Sequence, residues 1–216
     1  MEELARRFPE NPSERLRGNV IVIGGGIVGQ EAAMMAAKMG SQVCLIEISE
    51  ARRSELERDF KLKNLEILLL GPDHKNYHGI LADADVLIAA VHKAGERAPI
   101  VIDSDLLKKT SLTKRKIILD IAIDQGGSIA ESKPTDYERP LYLDSCGNLR
   151  FSVTNMPSLC GEAASLALEK VSLDYTLSLS NGLEAALKRY PELKTGINVV
   201  KGEVVHPAVR KAHGLP

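Results

Sequence analysis

The chain alternates short, uniformly apolar runs with longer segments in which apolar and charged residues recur at helical spacing. Each apolar run is bounded by Gly, Pro or charged residues, which is typical of buried strands. The predicted strands are residues 19–23, 42–47, 66–70, 85–91 and 116–122, with residues 151–154 as a candidate sixth. Strands that are apolar on both faces and separated by helices indicate a parallel sheet covered on both sides.

Helical spacing and capping residues mark the segments between these strands. Residues 30–39 are rich in Ala and Met and end before Gly40, which can cap the C-terminus of a helix. Ser49 can cap a charged helix over residues 50–60, and residues 103–110 form a shorter helical pattern. Right-handed crossovers through such helices give an α/β fold, namely a Rossmann-type doubly wound parallel sheet.

The character of the sequence changes after about residue 160. Residues 162–180 form one long helical pattern, in which we expect one apolar face made by Leu166, Ala167, Val171 and Leu177. Gly and Pro residues divide the rest of the chain into short pieces. We therefore predict three parts: an N-terminal lead-in over residues 1–18, the sheet domain over residues 19–160 and a C-terminal helical appendage over residues 161–216.

Composition and charge exclude several classes of protein. The 28 Lys and Arg residues nearly balance the 29 Asp and Glu residues, and without a basic block the chain lacks the electrostatic pattern of a nucleic-acid binder. No apolar run approaches the roughly 18–20 residues that cross a membrane, and the polar N-terminus does not resemble a signal peptide. Three cysteines without a C-x-x-C pair indicate free thiols, so we expect a cytoplasmic protein.

A glycine-rich loop follows the first predicted strand. Its sequence, Gly24-Gly-Gly-Ile-Val-Gly29, matches the pattern G-x-G-x-x-G. In this pattern Gly24 permits a tight turn, Gly26 lets the backbone approach a pyrophosphate, and Gly29 lets helix and strand pack closely. Glu47 ends the second predicted strand, where an acid binds the ribose hydroxyls of a dinucleotide. This context favours a dinucleotide site over an ordinary tight turn, and the Glu47 carboxylate favours NAD over NADP.

Other polar residues follow predicted strands at the same edge of the sheet, where doubly wound folds bind their ligands. Asp124 precedes a Gly-Gly turn and either meets a ligand or caps the turn. Asn155 either binds a carboxamide such as that of nicotinamide or is itself a turn residue. His92 and Lys93 are either acid–base groups or solvated loop residues.

Four basic side chains carry weaker signals. Arg52 and Arg53 follow Glu47 and either recognise a 2′-phosphate or lie on a solvated helix face. His74 and His78 have the i, i+4 spacing of a helical metal pair, but the Gly and Pro residues around them favour a loop. We therefore predict no metal site.

The second half of the sheet domain contains three distinctive strings, Leu119-Asp-Ile-Ala-Ile-Asp-Gln-Gly-Gly127, Lys133-Pro-Thr and Val153-Thr-Asn-Met-Pro157. Together they resemble the NAD-binding half of the alanine dehydrogenases, which share an NAD-binding architecture with the pyridine nucleotide transhydrogenase alpha subunit. The resemblance runs from about Val20 to the C-terminus. Within it, the Ile-Asp-Gln-Gly-Gly string resembles the sequence typical of the dehydrogenase branch of the family. The resemblance implies NAD(H) as the cofactor.

The resemblance also implies roles for individual residues. The residues that match the family's cofactor-binding segments are Gly24, Gly26, Ile27, Val28, Gly29, Glu47, Arg52, Val91, His92, Ile121, Ala122, Ile123, Asp124, Val153, Thr154, Asn155 and Met156. Glu47 stands where the family has a ribose-binding Asp, and Arg52 falls at a basic position near the adenosine. Asp124 corresponds to a catalytic aspartate that helps to position the substrate and the nicotinamide ribose.

The chain departs from the family in ways that bear on function. In the family, a substrate half precedes this domain and supplies a catalytic His with an Arg and a Lys for the substrate carboxylate, whereas 18 residues precede the first strand here. Glu162 also stands where the family has a basic residue. We therefore expect an alanine dehydrogenase-like oxidoreductase component, for oxidative deamination of an amino acid, whose substrate half is a separate polypeptide.

Two alternatives remain open. In the first, the chain is a non-catalytic NAD(H)-binding regulatory or assembly module. In the second, it is a diverged NAD-dependent enzyme in which His92 and Lys93 act on a different substrate. In each case, the resemblance implies that the last helices of full-length relatives pack against the substrate half. Without that half, the apolar face of residues 162–180 would be exposed. Exposed apolar patches mark interfaces, so we expect a homo-oligomer or a partner complex through residues 162–216.

Overall fold

The computed structural model describes residues 18–215. The predicted N-terminal lead-in, apart from Gly18, lies outside these residues. The described chain forms two compact units, one made of residues 18–93 and 98–154 and the other of residues 94–97 and 155–215. The first unit contains the larger sheet and ends shortly before the domain boundary predicted at residue 160.

The first unit is built on a seven-stranded sheet in the order β3-β2-β1-β4-β5-β7-β6. Its strands are β1 (Asn19–Ile23), β2 (Gln42–Ile46), β3 (Ile67–Leu70), β4 (Val86–Ala89), β5 (Ile117–Asp120), β6 (Leu141–Leu143) and β7 (Leu149–Phe151). Neighbouring strands are parallel except for β6 and β7, which pair antiparallel. The strand order reverses direction between β1 and β4, which confirms the predicted doubly wound fold.

The helices of the first unit cover both faces of this sheet. They are α1 (Ile27–Lys38), α2 (Glu50–Leu62), α3 (Tyr77–Asp83) and α4 (Ser104–Ser111). Successive strand residues point to opposite faces, so Ile21 belongs to one core with Leu81 of α3. Its neighbour Val22 belongs to a second core with Ala33 of α1 and Leu56 of α2. Both faces are buried, which explains why the strand sequences are apolar throughout.

Helix α3 corrects the loop that the sequence predicted around His74 and His78. The helix includes His78 and Gly79, whereas His74 lies in the preceding turn and accepts a hydrogen bond from the Asn76 backbone N–H at 3.2 Å. A glycine inside a helix costs about 1 kcal/mol relative to alanine. The complete burial of Leu81 against the sheet offsets that cost.

Two strands at the far edge of the sheet also differ from the prediction. The last parallel strand is Leu149–Phe151 rather than residues 151–154. The charged Arg150 in its centre interrupts the apolar pattern, although the side chain is fully buried. The antiparallel strand β6 was not predicted because Leu141 and Leu143 are exposed and the segment lacks a buried-strand pattern.

The second unit is mainly helical. Its regular elements are α5 (Gly161–Leu179), α6 (Leu183–Arg189), α7 (Pro207–Ala212) and the antiparallel pair β8 (Val199–Val200) and β9 (Glu203–Val204). The Tyr175 hydroxyl donates a hydrogen bond to Glu192 at 2.9 Å, and its ring packs against Tyr190 with centroids 4.7 Å apart. These contacts fix the end of α5 against the residues that follow α6. No helix among residues 18–215 is long and apolar enough to cross a membrane.

Helix α5 carries two apolar stripes rather than the single face that the sequence predicted. At 3.6 residues per turn, Leu166 and Leu177 fall on one side of the helix, whereas Ala167 and Val171 fall on the other. Each stripe is extended by further side chains, Leu173 on the first side, and Leu168 and Leu179 on the second. The leucines and the valine of both stripes are exposed. A helix that is apolar on opposite sides is typical of one that is buried on both.

Candidate functional site

A cavity of about 790 Å³ opens at the carboxyl edge of the sheet, within the first unit. It is lined by the glycine loop after β1, by the end of β2 and by residues that follow β3 and β4. The strand order reverses at this point, which is where doubly wound sheets bind their ligands. The volume lies within the roughly 300–1,000 Å³ typical of small-molecule sites.

Two glycines of the loop allow β1 to turn tightly into α1. At Gly24 the backbone angle φ is +105°, and a Cβ atom would lie 2.6 Å from the carbonyl oxygen of Ala90. At Gly29 a Cβ atom would lie 1.9 Å from the carbonyl oxygen of Gly24. A side chain at Gly24 would collide with the Ala90 backbone, and one at Gly29 would collide with the Gly24 backbone, so both glycines are needed for the local fold.

Gly26 differs from these two because a Cβ atom there would meet no protein atom within 4 Å. The residue is the N-cap of α1 and lines the cavity. The first N–H groups of a helix have no intrahelical acceptor and carry the positive end of its dipole. The first turn of α1 also lacks an acidic side chain. The open space at Gly26 therefore fits an anionic group such as a pyrophosphate.

The carboxylate of Glu47 links the end of β2 to the glycine loop. Its Oε2 atom accepts a hydrogen bond from the Gly25 backbone N–H at 2.7 Å, and Oε1 accepts one from the Ser49 N–H at 2.7 Å. A carboxylate oxygen can accept more than one hydrogen bond, and Glu47 lines the cavity. The side chain can therefore hold the loop and accept hydrogen bonds from a ligand's hydroxyl groups at the same time.

Arg52 braces the same loop from helix α2. Its Nε donates to the carbonyl oxygen of Gly25 at 2.9 Å, and its terminal nitrogens donate to Gln30 at 2.8 Å and to Glu55 at 2.9 Å. Its side chain is 30% exposed. The guanidinium is thus engaged within the protein, a bracing role that neither of the two sequence alternatives included.

The remaining lining of the cavity is mainly apolar. It includes Ile48, Pro72, Tyr77 and Val101, and Ile48 is 81% exposed. Burial raises the pKa of the Tyr77 phenol, so this side chain stays neutral at physiological pH. Apolar surfaces beside a few polar groups suit a flat aromatic ligand group such as a nucleotide base. Ile48, Pro72, Tyr77 and Val101 were not predicted from the sequence.

The structure brings part of the predicted site to this cavity. The predicted residues that line it are Gly24, Gly26, Glu47, Arg52, Val91 and His92. The exposed side chains of Ile27 and Val28 lie in the first turn of α1, and Gly29 is buried where that helix meets the sheet. Val153 and Thr154 follow β7 at the carboxyl edge of the sheet, whereas Asn155 and Met156 belong to the second unit. The cofactor contacts of these residues stay predictions.

The predicted catalytic Asp124 lies in a 3-10 turn, Ile121–Gln125, that follows β5 at the carboxyl edge. The sequence prediction that β5 continues to Ala122 is wrong, since the strand ends at Asp120. Within the turn, Ala122 and Ile123 are buried and Asp124 is exposed. The turn thus uses its apolar residues as an anchor and leaves Asp124 exposed.

Sequence reasoning missed a buried polar cluster beneath this turn. Asp120 and Arg150 have no exposed surface, and the hydroxyl of Ser132 lies between them. A charged residue inside an apolar run was a signal at both positions, because buried charges are retained only where partners satisfy them. The partners are far apart in the sequence, so only the fold reveals the cluster.

Comparisons with known proteins relate this architecture to a family. Residues 13–207 match the family model described as "Alanine dehydrogenase/PNT, C-terminal domain". The alanine dehydrogenase of Methanococcus maripaludis is 33% identical over 199 residues, which are 91% of this chain and 52% of that protein. The alanine dehydrogenase of Bacillus subtilis is 33% identical over 200 residues, which are 92% of this chain and 51% of that protein.

A solved structure agrees with the sequence matches. It is named L-alanine dehydrogenase, is 36% identical and superposes with a TM-score of 0.76, covering 91% of this chain and 53% of that one. The chain spans about half the length of the relatives that it matches. The resemblance seen in the sequence is therefore confirmed, and the chain belongs to the alanine dehydrogenase/PNT C-terminal domain family.

Proposed function

We propose that this chain is the NAD(H)-binding part of an alanine dehydrogenase-like oxidoreductase. The family and the Rossmann-type fold imply a nicotinamide dinucleotide cofactor. The observation that carries the proposal is the glycine loop, where close packing constrains Gly24 and Gly29 while Gly26 opens onto the cavity at a helix N-terminus. A pyrophosphate fits that opening, and the Glu47 carboxylate lies beside it to accept hydrogen bonds from a ribose.

Charge around Glu47 supports NAD(H) over NADP(H). A 2′-phosphate on the ribose would meet the Glu47 carboxylate, and like charges at such distances are repulsive. Arg53 donates its hydrogen bonds to the backbone carbonyls of Glu47 and Ile48, and Arg52 braces the loop. Both guanidinium groups are thus engaged within the protein. We expect NADPH to bind at least about tenfold more weakly than NADH.

The proposed reaction resembles the reversible oxidative deamination of alanine to pyruvate and ammonia. When bound, the nicotinamide supplies the hydride acceptor or donor for this chemistry. In this proposal Asp124, exposed at the turn after β5, helps to position the substrate and the nicotinamide ribose. In this proposal the groups that bind the amino acid belong to a substrate half, which we predict to be a separate polypeptide.

Calorimetric titration of the purified chain with NADH and NADPH tests the proposal. We expect saturable NADH binding, weaker NADPH binding and no alanine-dependent reduction of NAD by the chain alone. Copurification from the native source then identifies the substrate half. Absence of NADH binding would contradict the proposed function, and robust alanine dehydrogenase activity of this chain alone would contradict the need for a second half.

We propose further that residues 162–216 form an interface in a homo-oligomer or a partner complex. The support is the pair of exposed apolar stripes on α5, one containing Leu173 and the other Leu168. Light scattering should show an assembly at micromolar concentration, and Leu168→Glu or Leu173→Glu should weaken it. A monomer with no bound partner, unchanged by either substitution, would contradict this proposal.

A cytoplasmic location is part of the same proposal. Cys44, Cys146 and Cys160 are free thiols, and free thiols are typical of reducing compartments. Burial raises the pKa of Cys44 to about 11, which keeps that thiol protonated and unreactive at neutral pH. Fractionation of the native cells, with the chain recovered outside the cytoplasm, would contradict this location.

A further inference from the structure

A buried carboxylate closes the turn that carries Asp124. Asp120 is the last residue of β5 and has no exposed surface. Its Oδ2 atom accepts hydrogen bonds from the backbone N–H groups of Ser128 at 2.8 Å and of Ile129 at 3.0 Å. Its Oδ1 atom accepts one from the Ser128 hydroxyl at 3.0 Å. One side chain thereby joins the beginning and the end of the segment 121–127.

The two glycines after the turn make this closure possible. Gly126 and Gly127 have φ angles of +94° and +79°, in the left-handed region that other residues rarely adopt. A Cβ atom at Gly127 would lie 3.1 Å from Oδ2 of Asp120 and 2.9 Å from Cβ of Ser132. The Gly-Gly pair therefore lets the backbone pass close over the carboxylate that holds it.

The hydroxyl of Ser132 connects Asp120 to the buried Arg150, which is also paired with Asp144. The Ser132 hydroxyl donates to Oδ2 of Asp120 at 2.5 Å and accepts a hydrogen bond from Arg150 at 2.7 Å. Arg150 is fully buried, donates to the Ala130 carbonyl at 2.9 Å and lies 3.4 Å from the Asp144 carboxylate. Buried charges need this degree of hydrogen bonding to be tolerated, so the cluster holds its members in one arrangement.

We propose that Asp120 is a positioning residue that holds the Ile121–Gln125 turn, and with it Asp124, in place to receive the nicotinamide half of the cofactor. It acts through the turn, since it is buried and is not among the residues that line the cavity. A turn that is fixed before binding loses less conformational freedom when the ligand arrives. The inference rests on the proposed function.

Two ligands separate this role from a general effect on folding. ADP shares the adenosine and pyrophosphate of NADH but lacks the second ribose and the nicotinamide. For Asp120→Ala we expect NADH affinity to fall by about tenfold or more, with a change of less than about twofold for ADP. The amide oxygen of Asp120→Asn can still accept the backbone N–H groups, so this variant should recover most of the NADH affinity.

Asp85→Ala is the matched control, because Asp85 also accepts a backbone N–H beside a strand, from Asn19 at the opposite edge of the sheet. It should bind both ligands like the wild type. If Asp120→Ala does not fold, Ser128→Ala replaces it, because this variant removes only the hydroxyl that donates to Asp120. It should lower the affinity for NADH by about twofold to fivefold and leave the affinity for the second ligand unchanged. If Asp120→Ala loses affinity equally for both ligands, or loses none, the inference is overturned, while NADH binding by the wild type still upholds the proposed function. If the wild type does not bind NADH, both are overturned.

Discussion

The backbone N–H of Gly25 donates a hydrogen bond to Glu47 at 2.7 Å. Arg52 binds the carbonyl oxygen of the same glycine at 2.9 Å, so the two peptide groups flanking Gly25 are held by an acid and a base from the next strand and helix. Glu47 therefore has two roles in this account, as part of the ribose site and as a support for the phosphate loop. Both roles predict measurable losses.

Removal of the Glu47 side chain should weaken NADH binding. Hydrogen bonds to charged groups contribute about 1.5–3 kcal/mol each, so Glu47→Ala should lower NADH affinity by about tenfold to a hundredfold. Calorimetric titration measures the change, with Glu50→Ala in the exposed first turn of α2 as the control. Unchanged affinity in Glu47→Ala would mean that the ribose binds elsewhere.

Loss of the Arg52 brace should also weaken binding, although Arg52→Gln leaves the Glu47 carboxylate in place. The loop would lose the donor that fixes the Gly25 carbonyl, and we expect NADH affinity to fall by about threefold to tenfold. Arg58→Gln is the matched control, because Arg58 is exposed on the same helix and bonds within it, at Ser54. Equal affinities in the two variants would refute the bracing role.

Asp85 should make stability depend on pH in the acid range. Its hydrogen bonds to Lys114 and to the Asn19 backbone lower its pKa in the folded state. The unfolded chain then binds the proton more tightly, so the stabilisation is present above the unfolded pKa of about 3.9 and is lost as pH falls through the lower folded pKa. The ion pair is exposed by more than a third on both sides, so screening keeps the contribution below about 1 kcal/mol.

Urea unfolding of Asp85→Asn and wild type across the acid range measures this contribution. At neutral pH the wild type should have a higher free energy of unfolding than Asp85→Asn. This difference should disappear at pH values below the folded pKa of Asp85. The amide oxygen introduced by Asp85→Asn would still accept the Asn19 N–H, so the comparison isolates the charge. A difference that stays constant with pH would show that Asp85 contributes by another route.

The sheet was predictable because both of its faces are buried, which makes the strand sequences apolar at every position. Val22 and Ile21 belong to different cores, yet each is required to be apolar. Helix α3 was not predictable in this way, since Gly79 reads as a turn signal and the burial of Leu81 depends on the rest of the fold. Tertiary packing decided the conformation there, against the local signal.

Part of the site was predictable for a different reason. Gly24, Gly26 and Glu47 are close in the chain to the strands that position them, so their spacing alone indicates a dinucleotide site. Asp120 could not be recognised in the same way, because its partner Ser132 and the charge of Arg150 become neighbours only after folding. Hydrogen-bond clusters of this kind leave no periodic pattern in a sequence.

Gly26 and Gly29 of the loop should respond differently to alanine. Gly29→Ala places a Cβ atom against the Gly24 carbonyl and should destabilise the fold, whereas Gly26→Ala meets open space and should not. Gly26→Ala should instead fill the space that we assign to the pyrophosphate. The most direct test of NAD(H) binding is therefore calorimetric titration of wild type and Gly26→Ala with NADH, alongside their melting temperatures. We predict equal melting temperatures, with binding by the wild type and at least about tenfold weaker binding by Gly26→Ala; equal NADH affinities, or no binding by the wild type, would contradict the account.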